Sequence, residues 1–140
     1  MLCYDNINKK EKDEATIGKY ANLSVISDVK GTKPYRVLFE EPFNSILADT
    51  WSKLIEKITE NIVETFSDDG GRKLKESKAQ DGYGKMYFFE GNQRSVKYAY
   101  ISTCDLSVYK SGGANLTIEI VKEICNLYAI DLDKVIILYK

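Results

Sequence analysis

Three charged residues offer the most direct route to catalysis. Asp69, Glu76 and Lys78 follow the Asp…Glu-x-Lys order in which carboxylates hold Mg²⁺ and a lysine steadies the attacking water of a nuclease. That chemistry needs the Glu and the Lys on one face of a buried strand. Glu76-Ser77-Lys78 lies instead in a polar stretch almost without apolar neighbours, so a solvated charged loop is the preferred reading. The chain contains no His, which excludes Ser-His-Asp and Cys-His nucleophiles, an imidazole general base and His-ligated zinc or iron. Cys3, Cys104 and Cys125 are widely spaced and odd in number, with no CxxC pair. They read as reduced thiols, Cys104 beside a strand and Cys125 on the apolar face of a helix, rather than as a disulfide framework or a zinc site. No metal and no cofactor is expected.

Binding chemistry is better represented. Lys110-Ser111-Gly112-Gly113-Ala114-Asn115 precedes a helix, and glycines with free helix N–H groups could receive an anion through Lys110, Ser111, Gly112, Gly113 and Asn115. The GxxxxGK[ST] order is missing, so a turn followed by a helix cap is preferred. Arg72, Lys73, Lys75, Lys78, Lys85, Arg94 and Lys97 interleave with Tyr83, Tyr87, Tyr98 and Tyr100. Such a surface can neutralise phosphates and stack on unpaired bases. Asp68, Asp69, Glu76, Asp81 and Glu90 dilute its charge, and tyrosines at alternating positions also suit ordinary sheet packing. Glu56, Glu60 and Glu64 stand at i, i+4 and i+8 on a helix, a like-charge ridge that costs about 0.2–0.5 kcal/mol per pair. It is either a solvated face or a contact for a basic partner.

The elements that must position these groups follow from periodicity. With 140 residues, 44% hydrophobic and 29% charged, the chain suits one globular domain with its own core. The 20 Lys+Arg nearly balance the 21 Asp+Glu, so no global pull towards nucleic acid or an anionic membrane is expected. The longest apolar run, residues 135–139, is far short of the ~20 residues of a membrane span. Residues 1–33 read as an N-terminal arm, partly ordered, closed by the turn Gly31-Thr32-Lys33-Pro34; residues 34–140 read as the domain. The start of the chain has a charged run at residues 9–14 and no apolar h-region, so no signal peptide is expected.

A strand is expected at residues 35–39, with a possible partner at residues 43–47. A helix capped by Asp49 or Thr50 should bury Trp51, Leu54, Ile55, Ile58, Ile62, Val63 and Phe66. Residues 67–84 read as an external loop. Strands follow at residues 85–90, 96–101 and 105–109, with Gly91-Asn92-Gln93-Arg94 as a hairpin turn between the first two. A second helix, capped by Thr117, should bury Ile120, Val121, Ile124, Leu127 and Tyr128. The last strand, residues 135–139, is apolar on both faces and belongs inside a sheet. The expected class is α+β: a mainly antiparallel sheet with two amphipathic helices packed on one face.

This order resembles a small C-terminal α+β module of uncharacterised bacterial proteins associated with restriction and phage defence. The resemblance covers about residues 36–139. It is carried by the segment from Phe39 through Trp51, by Val108-Tyr109 and Asn115-Leu116-Thr117, and by Leu127-Tyr128-Ala129-Ile130-Asp131 before the final strand. The family usually has Gly where Ala129 stands, and Ser111-Gly112-Gly113 interrupts its strand-to-cap junction. The resemblance implies a fold and a setting, and supplies no catalytic residues. The expected role is therefore non-catalytic binding in bacterial defence or phage counter-defence, as an inhibitor or adaptor acting on a defence nuclease or effector. The alternatives are a nucleic-acid-binding module using the basic, tyrosine-rich second half, and a Mg-dependent nuclease with a degenerate site. The expected partner is a bacterial protein, with nucleic acid and a second copy of the chain also possible and no membrane. The expected location is cytoplasmic, in the host cell if the chain is phage-encoded.

Overall fold

The computed structural model describes residues 18–140; the expectations for Cys3 and for residues 9–14 fall outside them. Strand β1 (Lys19–Asn22) opens the described chain, followed by β2 (Pro34–Leu38) and the short β3 (Ile46–Leu47). Helix α1 (Trp51–Thr65) begins where Thr50 Oγ1 accepts from the Lys53 amide at 3.1 Å, as its position predicts. Its buried stripe is Trp51, Leu54, Ile55, Ile58, Thr59, Ile62 and Val63. The Thr59 hydroxyl donates to the Ile55 carbonyl, which lets a polar residue sit in that stripe. Trp51 donates its indole N–H to the Thr32 carbonyl at 2.8 Å, tying the helix start to the turn before β2.

The stretch after α1 is not an external loop throughout. Gly71 takes φ +76°, and a Cβ there would stand 3.1 Å from the Cys104 sulfur, so glycine permits both the turn and the contact. A short helix α2 (Arg72–Glu76) follows and anchors itself through the fully buried Leu74. Next come β4 (Phe88–Glu90), β5 (Tyr98–Ile101), β6 (Leu106–Tyr109), α3 (Gly113–Leu127), a 3-10 turn (Leu132–Lys134) and β7 (Ile136–Tyr139).

The α+β class with antiparallel pairing holds, but the single sheet divides into two. One has the order β1-β7-β2-β3 and the other β4-β6-β5, antiparallel throughout. Helices α1 and α3 pack on each other, and α1 touches β3 of one sheet and β5 and β6 of the other. The hairpin expected at residues 91–94 does not form. Strands β4 and β5 both pair with β6, so residues 91–97 cross to the far side of that strand. The glycine and polar residues there mark a reversal correctly but carry no information about which strand is the partner.

Strand β7 lies between β1 and β2, inside its sheet as its two apolar faces predict. Residues 18–33, the described part of the expected arm, are ordered against the rest of the chain. Strand β1 pairs with β7 in register, Leu23 and Val29 are fully buried, and Ile26 is nearly so. Their i, i+3 spacing follows turns rather than a helix or strand, so neither periodicity reveals them.

Helix α3 starts at Gly113, one turn before the expected cap. Thr117 lies inside it and donates its hydroxyl to the Gly113 carbonyl at 3.0 Å. The helix ends with the Ile130 amide bonded to the Cys125 carbonyl at 2.8 Å and with Ala129 at φ +55°. That is the left-handed closing residue of a Schellman turn, where glycine is usual.

Candidate nucleic-acid interface

Strand alternation in the three-stranded sheet sends Phe88, Ala99, Ile101, Leu106 and Val108 into the core. Phe89, Tyr98, Tyr100, Ser107 and Tyr109 therefore share the face turned away from it. Register sets Tyr98 opposite Tyr109, and Ser107 between Tyr100 and Phe89. The rings form a group: Phe89 meets Tyr98 edge-on at 5.5 Å, and Tyr98 meets Tyr109 at 5.3 Å. All the aromatic members are half-buried, so ring surface remains open to solvent. The Lys85 ammonium lies 5.2 Å from the Tyr109 ring centre and 5.9 Å from that of Tyr98, a cation held on the ring faces.

Lys85 is the cation that lies on these rings; the residues next to Tyr98 and Tyr109, just outside β5 and β6, are also lysines. The Lys110 amide bonds the Lys97 carbonyl at 2.9 Å, extending the β5–β6 ladder by one residue, and alternation gives the Lys97 and Lys110 side chains the face opposite to the Tyr98 and Tyr109 rings. Glu90 and Asp105 fall at the end of the sheet away from the Tyr98–Tyr109 pair, where the Tyr100 hydroxyl donates to Asp105 at 2.6 Å. That bond raises the Tyr100 hydroxyl above its ordinary value. Ser107, buried beneath the crossing segment, donates to the Gly91 carbonyl at 2.6 Å and accepts from the Gln93 amide at 3.2 Å. The face thus has half-exposed ring surface with the Lys85 cation on it, groups that can stack on unpaired bases and contact a phosphate.

The structure gathers only part of the anticipated basic and aromatic set here. Tyr98 and Tyr100 belong to it. Tyr87 does not: the chain bends there, and the ring is buried edge-on to Phe88, with burial and then Glu119, Asp81 and Glu123 raising its hydroxyl. Tyr83 stands at a loop tip, almost wholly exposed. Arg94 is exposed on the crossing segment at φ +52°. Arg72, Lys73 and Lys75 lie on α2, where Arg72 bridges Asp69 at 3.6 Å and Glu76 at 3.1 Å, and Lys73 sits over the Tyr128 ring at 5.1 Å. Phe89 and Tyr109 are additions to the expected set, although their alternation with Phe88 and Val108 is legible in the sequence. The grouping of Lys97 with Lys110 needs the ladder.

The other constellations fare differently. Glu76 ends α2 and Lys78 is exposed beyond it, so the two share no face of a buried strand with Asp69. Burial raises the Asp69 carboxyl, but the Tyr128 hydroxyl at 2.6 Å, the Lys73 amide and Arg72 outweigh it and hold it below its usual value. Among the described residues no group of three His, Cys, Asp or Glu is placed to hold a metal ion. At the expected anion site, Asn115 accepts from the Val29 amide at 2.8 Å and donates to Asp28 at 3.0 Å. The carboxylate of Asp28, whose pKa Asn115 lowers, therefore stands beside this helix start. Gly112 is needed for packing, since a Cβ there would fall 2.1 Å from a Leu116 methyl. Ser111 and Gly113 are exposed.

Glu56, Glu60 and Glu64 do share the outer side of α1, and none has an ion-pair partner among the described residues. Lys53 pairs instead with Asp49 at 3.3 Å, and Lys57 donates to the Leu47 carbonyl at 2.7 Å. Partial burial, then Glu56 and Glu64, raise the Glu60 carboxyl. Cys104 and Cys125 are free and buried as expected, and burial pushes the Cys125 thiol up to about 12, which makes it inert as a nucleophile. Among the described residues no helix is long and apolar enough to cross a membrane. Comparison with protein-family models, with curated proteins and with solved structures gives no match to this chain.

Proposed function

We propose that this chain is a non-catalytic binding protein of bacterial defence or phage counter-defence, working in the cytoplasm, and that it holds single-stranded nucleic acid on the outer face of its three-stranded sheet. The setting rests on the family resemblance. The binding mode rests on one observation: Lys85 lies over the half-exposed rings of Tyr98 and Tyr109, beside Phe89. Base stacking contributes about 1–3 kcal/mol per aromatic contact, and lysines add a salt-dependent phosphate attraction. Duplex bases are already stacked on each other, so this surface favours unpaired strands.

The test is fluorescence anisotropy of a labelled oligothymidylate, its RNA counterpart and a duplex of equal length. The expected result is a preference for single strands that weakens steeply with salt, with Tyr98→Ala and Lys85→Glu each lowering affinity by roughly tenfold. An absence of binding at low salt, or binding indifferent to both substitutions, overturns it.

A second reading has its own support. The carboxylates of Glu56, Glu60 and Glu64 form an outward ridge whose neighbouring lysines are engaged elsewhere, which suits a basic protein partner such as a defence nuclease or effector. Reversing all three charges should leave folding intact and abolish that contact.

A further inference from the structure

A cleft of about 330 Å³ lies on another part of the molecule, between the segment following β2 and the end of α3. Its floor is a chain of rings: Phe39 and Phe43 are 5.8 Å apart, Phe43 and Phe66 5.8 Å, and Phe66 and Tyr128 stack at 4.9 Å. The Tyr128 hydroxyl is bonded to Asp69, so that ring is fixed from behind. The charged residues of the lining are Glu40, Glu41, Asp131 and Lys134. Lys134 is 3.5 Å from Glu40, which leaves the exposed carboxylates of Glu41 and Asp131 to set the sign of the mouth.

We propose that this cleft receives a short peptide segment of a protein partner that carries an arginine or lysine next to an aromatic or aliphatic anchor. The rings accept the anchor, and cations are attracted both to ring faces and to the two rim carboxylates. The volume is at the lower end for ligand pockets and the cleft is open along one side, which fits one or two side chains better than an enclosed small molecule. The negative mouth repels phosphate, so the cleft and the Lys85-bearing outer sheet face select opposite charges. Neither binding mode requires the other.

Amide NMR of the full chain, titrated with acetylated Gly-Trp-Arg-Gly amide, tests it. Saturable shifts should appear at residues 39–43, 66 and 128–135, and the matching Gly-Trp-Glu-Gly peptide should bind at least about tenfold more weakly. Glu41→Lys should reduce affinity for the arginine peptide about fivefold or more while leaving the thermal midpoint and oligonucleotide binding unchanged. The proposal is overturned if the arginine peptide shifts none of these residues, if the two peptides bind alike, or if Glu41→Lys changes nothing. Equal affinity for free phenethylammonium would overturn the assignment to a peptide.

Discussion

In the four-stranded sheet, Val135 just before β7 and Ile137 within it are buried on the side of the main core, and Ile136 and Leu138 on the other, where they cluster with Leu38 and Tyr35. In the three-stranded sheet, β6 buries Leu106 and Val108 on the core side, but its other face carries half-exposed aromatic rings and a lysine. Both sheets are antiparallel and both lean on helix α1. The difference lies in what their second faces do: one is enclosed, while the other keeps aromatic surface open. Apolar side chains enclosed on both faces explain themselves through stability. Ring surface left half-exposed beside Lys85 is less fully accounted for by stability, and the binding proposal rests on it.

Truncation on the two faces should give unequal losses. Ile136→Ala removes a fully buried side chain from the enclosed face and should cost about 2–5 kcal/mol, read from urea unfolding. Tyr98→Ala on the open face should cost clearly less stability than that, its main effect being the loss of oligonucleotide affinity. Equal destabilisation by the two would mean that both faces are structural and would remove the distinction.

A smaller effect belongs to the enclosed side. Ala129 closes α3 at φ +55° shortly before the chain enters β7. Ala129→Gly relieves the left-handed strain and should raise stability by about 0.5–1 kcal/mol after allowing for the added freedom of the unfolded chain. Thermal unfolding reads this directly, and a decrease would contradict the Schellman geometry.

The smallest expected effect concerns the outer side of α1, the helix both sheets share. The Glu60 carboxyl is raised in the folded chain, so the folded state holds its proton more tightly than the unfolded one. The resulting cost is absent where both states are protonated, develops as pH rises from about 4 through the raised value, and persists at neutral pH. Glu60→Gln should therefore add about 0.2–0.5 kcal/mol for each like-charge pair relieved at pH 7 and almost nothing at pH 3. An equal gain at both pH values would show that the ridge is not repulsive.

Much of this architecture is legible in the order of the amino acids. The spacing from Trp51 to Val63 and the turn formers after it define α1 and its end, and the apolar residues of β7 announce an internal strand. Thr50 signals its cap through local chemistry alone. Three features are not legible in this way. Leu23, Ile26 and Val29 follow turns, so their burial has no period. Leu74 is a lone apolar residue in a charged stretch, and only the packed core reveals it as an anchor. Gly91-Asn92-Gln93-Arg94 reverses the chain, but the choice of β6 over β5 as the partner of β4 depends on residues 106–108, far along the sequence.

The same division runs through the binding surfaces. The absence of His, the wide spacing of the cysteines and the glutamate ridge are properties of composition and helical spacing, which the chain carries wherever those elements form. The aromatic sheet face required strands from three places to align in register, and the cleft required Phe39, Phe43, Phe66 and Tyr128 to meet across large sequence separations. Local spacing sets which face of an element is apolar or charged, because that depends only on backbone geometry. Which faces meet is decided by packing, because burying apolar area is non-directional and settles only when the whole chain is assembled.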